Sequence, residues 1–154
     1  MHLGKTSLGT ALVAGMAVTG ALVLAPAASA VTPGSATLSF SCGSFGSGSA
    51  TITASQSGTT ATFNLSTSAI TSPINLGANS VKSTLTMSNT SGTRTFTGSS
   101  NPAITAGKPI STGPLTGTVA AGDRLSAKSL AVVVFGITAN CTATSAQSPG
   151  PFKF

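Results

Sequence analysis

Apolar and polar residues alternate one by one along much of the chain beyond residue 35, the pattern of strands that bury a single face. Residues 36–42 put Ala36, Leu38, Phe40 and Cys42 on one face and Thr37, Ser39 and Ser41 on the other. Residues 49–54 turn Ala50, Ile52 and Ala54 inward, and residues 60–66 do the same with Ala61, Phe63 and Leu65. In 81–88 the inward set is Val81, Leu85 and Met87. Asn89-Thr90-Ser91-Gly92 reads as a turn, with Gly92 available for a positive φ. Residues 93–97 then return with Arg94 and Phe96 on a shared face, which predicts a hairpin over 81–97.

Pro102, Gly107, Pro109 and Pro114 punctuate 98–114, which suits a long connection or a sheet edge. A short strand is predicted over 115–119 and a turn over 120–123. Residues 129–141 are the most apolar part, with Leu130, Val132, Val133, Val134, Phe135 and Ile137. Such a run fits one central strand buried on both faces. Phe152-Lys153-Phe154 adds a last edge strand. No segment past residue 30 carries a helical period. About seven short strands between turn signals predict an all-β domain over 31–154, an immunoglobulin-like β-sandwich, with a small barrel as the second possibility.

Residues 1–30 break this pattern. Lys5 supplies a positive start, 8–25 is uncharged and rich in Ala, Leu and Val, Pro26 ends the run, and Ala28-Ser29-Ala30 is small-x-small. That is the layout of a secretory signal peptide cut after Ala30. The apolar run is near the lower limit for spanning a bilayer, and the small residues after it favour cleavage over anchorage. A secreted, extracellular domain is expected, free or held on the cell wall, with no transmembrane segment once the leader is removed.

Export changes the meaning of the two cysteines. Cys42 and Cys141 both fall in register with inward apolar residues. The simplest expectation is a structural disulfide joining the start of the domain to its end. Redox pairs usually sit two residues apart, and metal sites need further ligands that this chain does not supply.

The charge balance narrows the chemistry. The chain has seven Lys and Arg, one acidic residue and one His, for a net charge of +6. The leader takes His2 and Lys5, leaving Lys82, Arg94, Lys108, Arg124, Lys128 and Lys153 against Asp123 alone. Without His, no Ser-His-Asp triad can form. With one carboxylate, no glycosidase pair exists. The Gly-Ser stretch 42–49 lacks the Lys and helix of a phosphate loop. A non-enzymatic protein without cofactor or metal is expected. Asp123 follows Gly122 in a turn, where pairing with Arg124 or Lys128 is the ordinary expectation. A rarer role would be to assist a Lys–Asn isopeptide crosslink. The cations are scattered singly, and Trp and Tyr are absent for base stacking, which argues against nucleic acid. Anionic cell-wall polymers or another surface protein are the expected partners. The Thr-x-Thr triplets are irregularly spaced and read as solvent-facing strand residues.

Leu38-Ser-Phe-Ser-Cys42 near the start, Phe135-Gly-Ile-Thr-Ala-Asn-Cys141-Thr, and Pro149-Gly-Pro-Phe-Lys-Phe154 at the end resemble a group of uncharacterised actinobacterial secreted domains. The resemblance spans most of 36–154 and implies a β-sandwich with no activity. Neocarzinostatin-like apoproteins are similar in size, secretion and composition but carry two disulfides. This chain departs from them there, so their chromophore-carrier role does not transfer with the resemblance. Two functions follow from the residues. One is a secreted or surface-associated protein with a binding or structural role. The other is a carrier of a small apolar ligand, held between the sheets and lined by residues such as Phe63, Phe96 and Phe135.

Overall fold

The computed structural model describes residues 31–154, so the expected signal peptide lies outside the described residues. Nine strands follow one another, broken by a single 3-10 turn at Gly43–Phe45. They are β1 Ser35–Ser41, β2 Ser47–Ser57, β3 Thr60–Thr71, β4 Lys82–Asn89, β5 Gly92–Gly98, β6 Pro109–Thr118, β7 Arg124–Val134, β8 Ile137–Ala143 and β9 Phe152–Lys153. No helix among the described residues is long and apolar enough to cross a membrane.

The alternation builds the first five strands as expected. Ala36, Leu38 and Phe40 of β1 are buried while their neighbours face water. Ile52, Ala61, Phe63, Leu85, Met87 and Phe96 are buried in the same way. The β4–β5 hairpin pairs Asn89 with Gly92 across the predicted turn.

Two expectations fail further along. Residues 129–141 are not one central strand but the β7–β8 hairpin, in which Val134 pairs with Ile137. Phe135 and Gly136 form its two-residue turn, with φ of 50° and 76°. Two successive positive φ values give a turn whose twist matches the flanking strands. The stretch 98–114 is not all connection either, because β6 begins at Pro109. β6 tolerates its prolines and glycine through a bulge. Between the Asn64–Pro114 and Ser66–Ser111 pairs it carries one extra residue. The Thr112 hydroxyl fills the break, accepting from the Leu65 N–H at 3.2 Å.

The strands pair in the order β4-β5-β6-β3-β2-β1-β8-β7-β9, and β4 also pairs with β7. Eight antiparallel strands therefore close on themselves, and β9 adds to β7 outside the ring. This departs from the expected immunoglobulin-like sandwich of about seven strands: the ladder closes instead of leaving two separate sheets. The closure is uneven. β5 meets β6 through the single pair Thr97–Thr116, and β1 meets β8 through Phe40–Ala143 and Ser41–Thr142. Two four-stranded walls, β6-β3-β2-β1 and β8-β7-β4-β5, thus face each other across narrow seams. Glycine allows the tight corner at β5–β6. A Cβ on Gly98 would stand 2.2 Å from the Pro114 carbonyl oxygen, and one on Gly117 would stand 2.6 Å from that of Thr95.

The interior fills unequally. Near the β9 end, Phe63 packs edge-on against Phe96 at 4.6 Å between ring centres, with Phe152 and Phe154 beside it. A second, smaller cluster of Leu76, Val81 and Ile104 sits where two connections cross, 72–81 and 99–108. Buried Asn101 staples these connections. Its carboxamide accepts from the Val81 N–H at 2.9 Å and donates to the Gly77 and Pro102 carbonyls at 3.1 and 2.8 Å.

Candidate functional site

Between the Phe cluster and the smaller one the two walls do not meet. They leave a cavity of about 530 Å3. One wall presents Leu38 and Phe40 of β1, Ala50 and Ile52 of β2, and Leu65 and Ile70 of β3. The other presents Leu85 of β4, Leu130, Val132 and Val134 of β7, and Ala139 of β8. The alternation that made these residues inward is the same one that builds the packed end. A register change in β7 falls between the two ends. Thr86 pairs with Ser129 and Met87 with Ala127, which leaves Lys128 without a partner. The bulge moves the inward set from Leu125 and Ala127 to Leu130, Val132 and Val134. Strand β3 also departs from its partner, with three more residues than β6 between the Ser66–Ser111 and Thr71–Pro109 pairs. Ile70 of that excursion reaches the cavity wall.

The lining is neutral apart from Lys128, which is exposed. Three of its eight hydroxyl side chains are already engaged as donors. Ser72 donates to the Ile74 carbonyl at 2.6 Å, Thr67 to that of Ser49 at 2.7 Å, and Thr112 to that of Gly113 at 2.8 Å. Most of the surface facing the space is hydrocarbon and aromatic.

The mouth is marked by residues that folding alone does not explain. Phe45, Ile74, Phe135 and Ile137 are the large apolar side chains left exposed among the described residues, at 51, 49, 69 and 61%. All four border this cavity.

Cys42 and Cys141 are bonded, as expected from the sequence. The pair continues the register of the β1–β8 seam and lines the cavity. Of the three phenylalanines expected as ligand contacts, Phe135 is at the mouth. Phe63 and Phe96 are fully buried in the packed end and do not line the cavity. The reason is β9, whose Phe152 closes that end against Phe63. Sequence reasoning missed Phe45, Ile74, Ile137 and Asn101. For Phe45 and Ile74 a usable signal existed: Ser44-Phe45-Gly46 and Ser72-Pro73-Ile74 each place a large apolar residue among turn residues.

Asp123 lies far from the cavity and pairs with neither Arg124 nor Lys128. Its Oδ2 is 2.5 Å from Arg94 Nε and accepts from the Ala120 N–H at 2.9 Å. Its Oδ1 accepts from Asn89 Nδ2 at 2.8 Å and from the Arg94 guanidinium at 3.2 Å. Burial pushes the carboxyl pKa up, but the Ala120, Arg94 and Asn89 hydrogen bonds and the Arg94 charge outweigh this and hold it below the ordinary value. An Arg stands where an isopeptide crosslink would need a Lys, so this cluster is a structural ion pair at the β4–β5 turn. Compared with known proteins, the chain matches no family model, no curated protein and no solved structure.

Proposed function

We propose that the protein is an exported, non-catalytic carrier that holds one small apolar ligand between the two walls of its flattened barrel. The observation that carries this is the cavity of about 530 Å3 whose mouth is bordered by every large apolar side chain left exposed among the described residues. Its size falls within the range of small-molecule sites, about 300–1,000 Å3. A lining that is mostly apolar, with Lys128 as its one charged residue, favours a ligand that needs no strong polar partner, because a charged one would lose most of its hydration without compensation. The Cys42–Cys141 bond supports export, since such bonds persist in oxidising compartments.

The test is titration with N-phenyl-1-naphthylamine, a neutral probe that brightens in apolar surroundings. The chain has no Trp and no Tyr, so the background is low. Saturable binding at one probe per protein is expected, and Ala50→Phe, which fills the space from β2, should abolish it. An unsaturable signal, or one that Ala50→Phe leaves unchanged, would place the probe elsewhere and sink the carrier role.

A second reading, attachment to anionic wall polymers, is favoured by one observation at the opposite end. Exposed Arg124 and Lys153 lie directly across from each other on β7 and β9. Retention on isolated walls that survives Arg124→Gln/Lys153→Gln would remove it.

A further inference from the structure

Phe135 combines two features that folding opposes. It occupies the first position of a two-residue turn with a φ of 50°, where Asn or Gly is the favoured occupant, and it is 69% exposed. Ile137 follows across the turn, and Phe45 and Ile74 complete a rim of apolar tips. The charges near this rim are all of one sign. Lys82 pairs with Val133, two residues from Phe135. The Lys108 carbonyl accepts from the Ser72 N–H at 3.0 Å, two residues from Ile74. Both lysines are exposed. The single acidic side chain of the chain, Asp123, is at the other end of β4, about 20 Å away, and is already paired with Arg94. Phe154 sits at that end too, its N–H bonded to the Asp123 carbonyl.

We infer that this rim docks on an anionic lipid bilayer. Phe45, Ile74, Phe135 and Ile137 enter the headgroup boundary, and Lys82 and Lys108 meet lipid phosphates. The cavity then opens directly onto the acyl chains, so an apolar ligand drawn from the bilayer passes inside without crossing water. Charge complementarity selects a lipid surface over a second copy of this chain, because a copy would bring Lys82 and Lys108 against their own kind. The inference rests on the carrier role and names its ligand source.

The experiment is flotation of the disulfide-bonded protein with vesicles of phosphatidylglycerol and phosphatidylcholine, or of phosphatidylcholine alone, beside the naphthylamine titration without vesicles. The wild type should float with the anionic vesicles and at least tenfold less with the neutral ones, and added salt should release it. Phe135→Asn/Ile137→Ser should lose flotation. The Asn-Gly turn this creates suits the left-handed backbone, so an unchanged or raised melting temperature shows that the fold survives. Lys82→Gln/Lys108→Gln should weaken flotation severalfold while its naphthylamine affinity stays at the wild-type value. A wild type that binds the probe but not the vesicles overturns the docking and leaves the carrier role standing. Flotation that persists in Phe135→Asn/Ile137→Ser overturns it as well. So does a wild-type dimer that those two substitutions split, with no flotation by either. Vesicle binding without any probe binding removes the carrier role, and with it the passage of ligand from bilayer to cavity.

Discussion

Asn101 holds together two connections that have no strand ladder between them beyond the single Leu76–Ile104 bridge. Replacing it with Ala would orphan the Val81 N–H and the Pro102 carbonyl at a site that is 1% exposed, while the Gly77 carbonyl keeps its bond from the Ser80 hydroxyl. A loss of about 2–4 kcal/mol is expected for Asn101→Ala, read as a lower urea midpoint. Phe135→Asn should move the other way. A left-handed backbone costs an ordinary L-residue roughly 1–2 kcal/mol, and Asn bears it with less strain. A gain of about 1 kcal/mol is therefore expected in the same urea experiment. Neither role was visible in the sequence. Asn101 sits in a Ser-Ser-Asn-Pro stretch that reads as an ordinary loop, and its value comes only from the chain crossing it. Phe135 hides its turn: Asn-Gly would have announced a hairpin, whereas Phe-Gly within an apolar run reads as strand.

At the level of elements, β1 to β5 were legible because each buries one face only, so alternation records which face it is. Strand β7 was not, since its bulge at Lys128 shifts the inward set by one position and blurs the period over 124–134. The end of strand β6 was legible as a short strand over 115–119, but its first half was hidden by Pro109, Gly113 and Pro114, which a bulged strand accommodates and a regular one does not. The cavity had no sequence signature at all. Leu38, Leu65 and Leu130 face inward just as they would in a filled core. What leaves the space is the distance between walls, which no single strand encodes. β9 is only Phe152–Lys153, yet Phe152 is fully buried against Phe63. Phe152→Ala should cost about 3–5 kcal/mol in unfolding free energy, the usual toll of a large aromatic cavity. The same variant tests how the core is divided. Probe affinity should hold in whatever fraction remains folded, because Phe152 does not line the ligand space.

For the whole molecule, the two ends differ in kind. One is packed with phenylalanine and tied by Asp123 and Arg94; the other is open and apolar with lysines beside it. The near absence of acids makes the acid response simple. Asp123 has a folded pKa below its ordinary value of 3.8, so the stabilisation it brings is complete above about pH 4. It is lost as the pH falls through the lower folded value. With one acidic side chain in the chain, melting temperature should be flat from pH 7 to about pH 4 and fall only below that. Asp123→Asn should melt lower at pH 7 and lose most of the acid dependence. A steep fall beginning above pH 5 would mean that some other group controls acid stability.

The unequal seams give the barrel a mechanical character. Its wall is a hoop with two weak joints, and only one is riveted. The cystine prolongs the β1–β8 joint that flanks the ligand space, while the β5–β6 joint has the Thr97–Thr116 pair alone. Reduction would leave the second joint as it was and free the first, turning a vessel of fixed girth into an elastic one. Amide exchange should register this directly. Protection around Phe40 and Ala143 should depend on the oxidised bond, and that around Thr97 and Thr116 should not. The oxidised protein would then rank probes sharply by width, and the reduced protein would take wider ones with little preference.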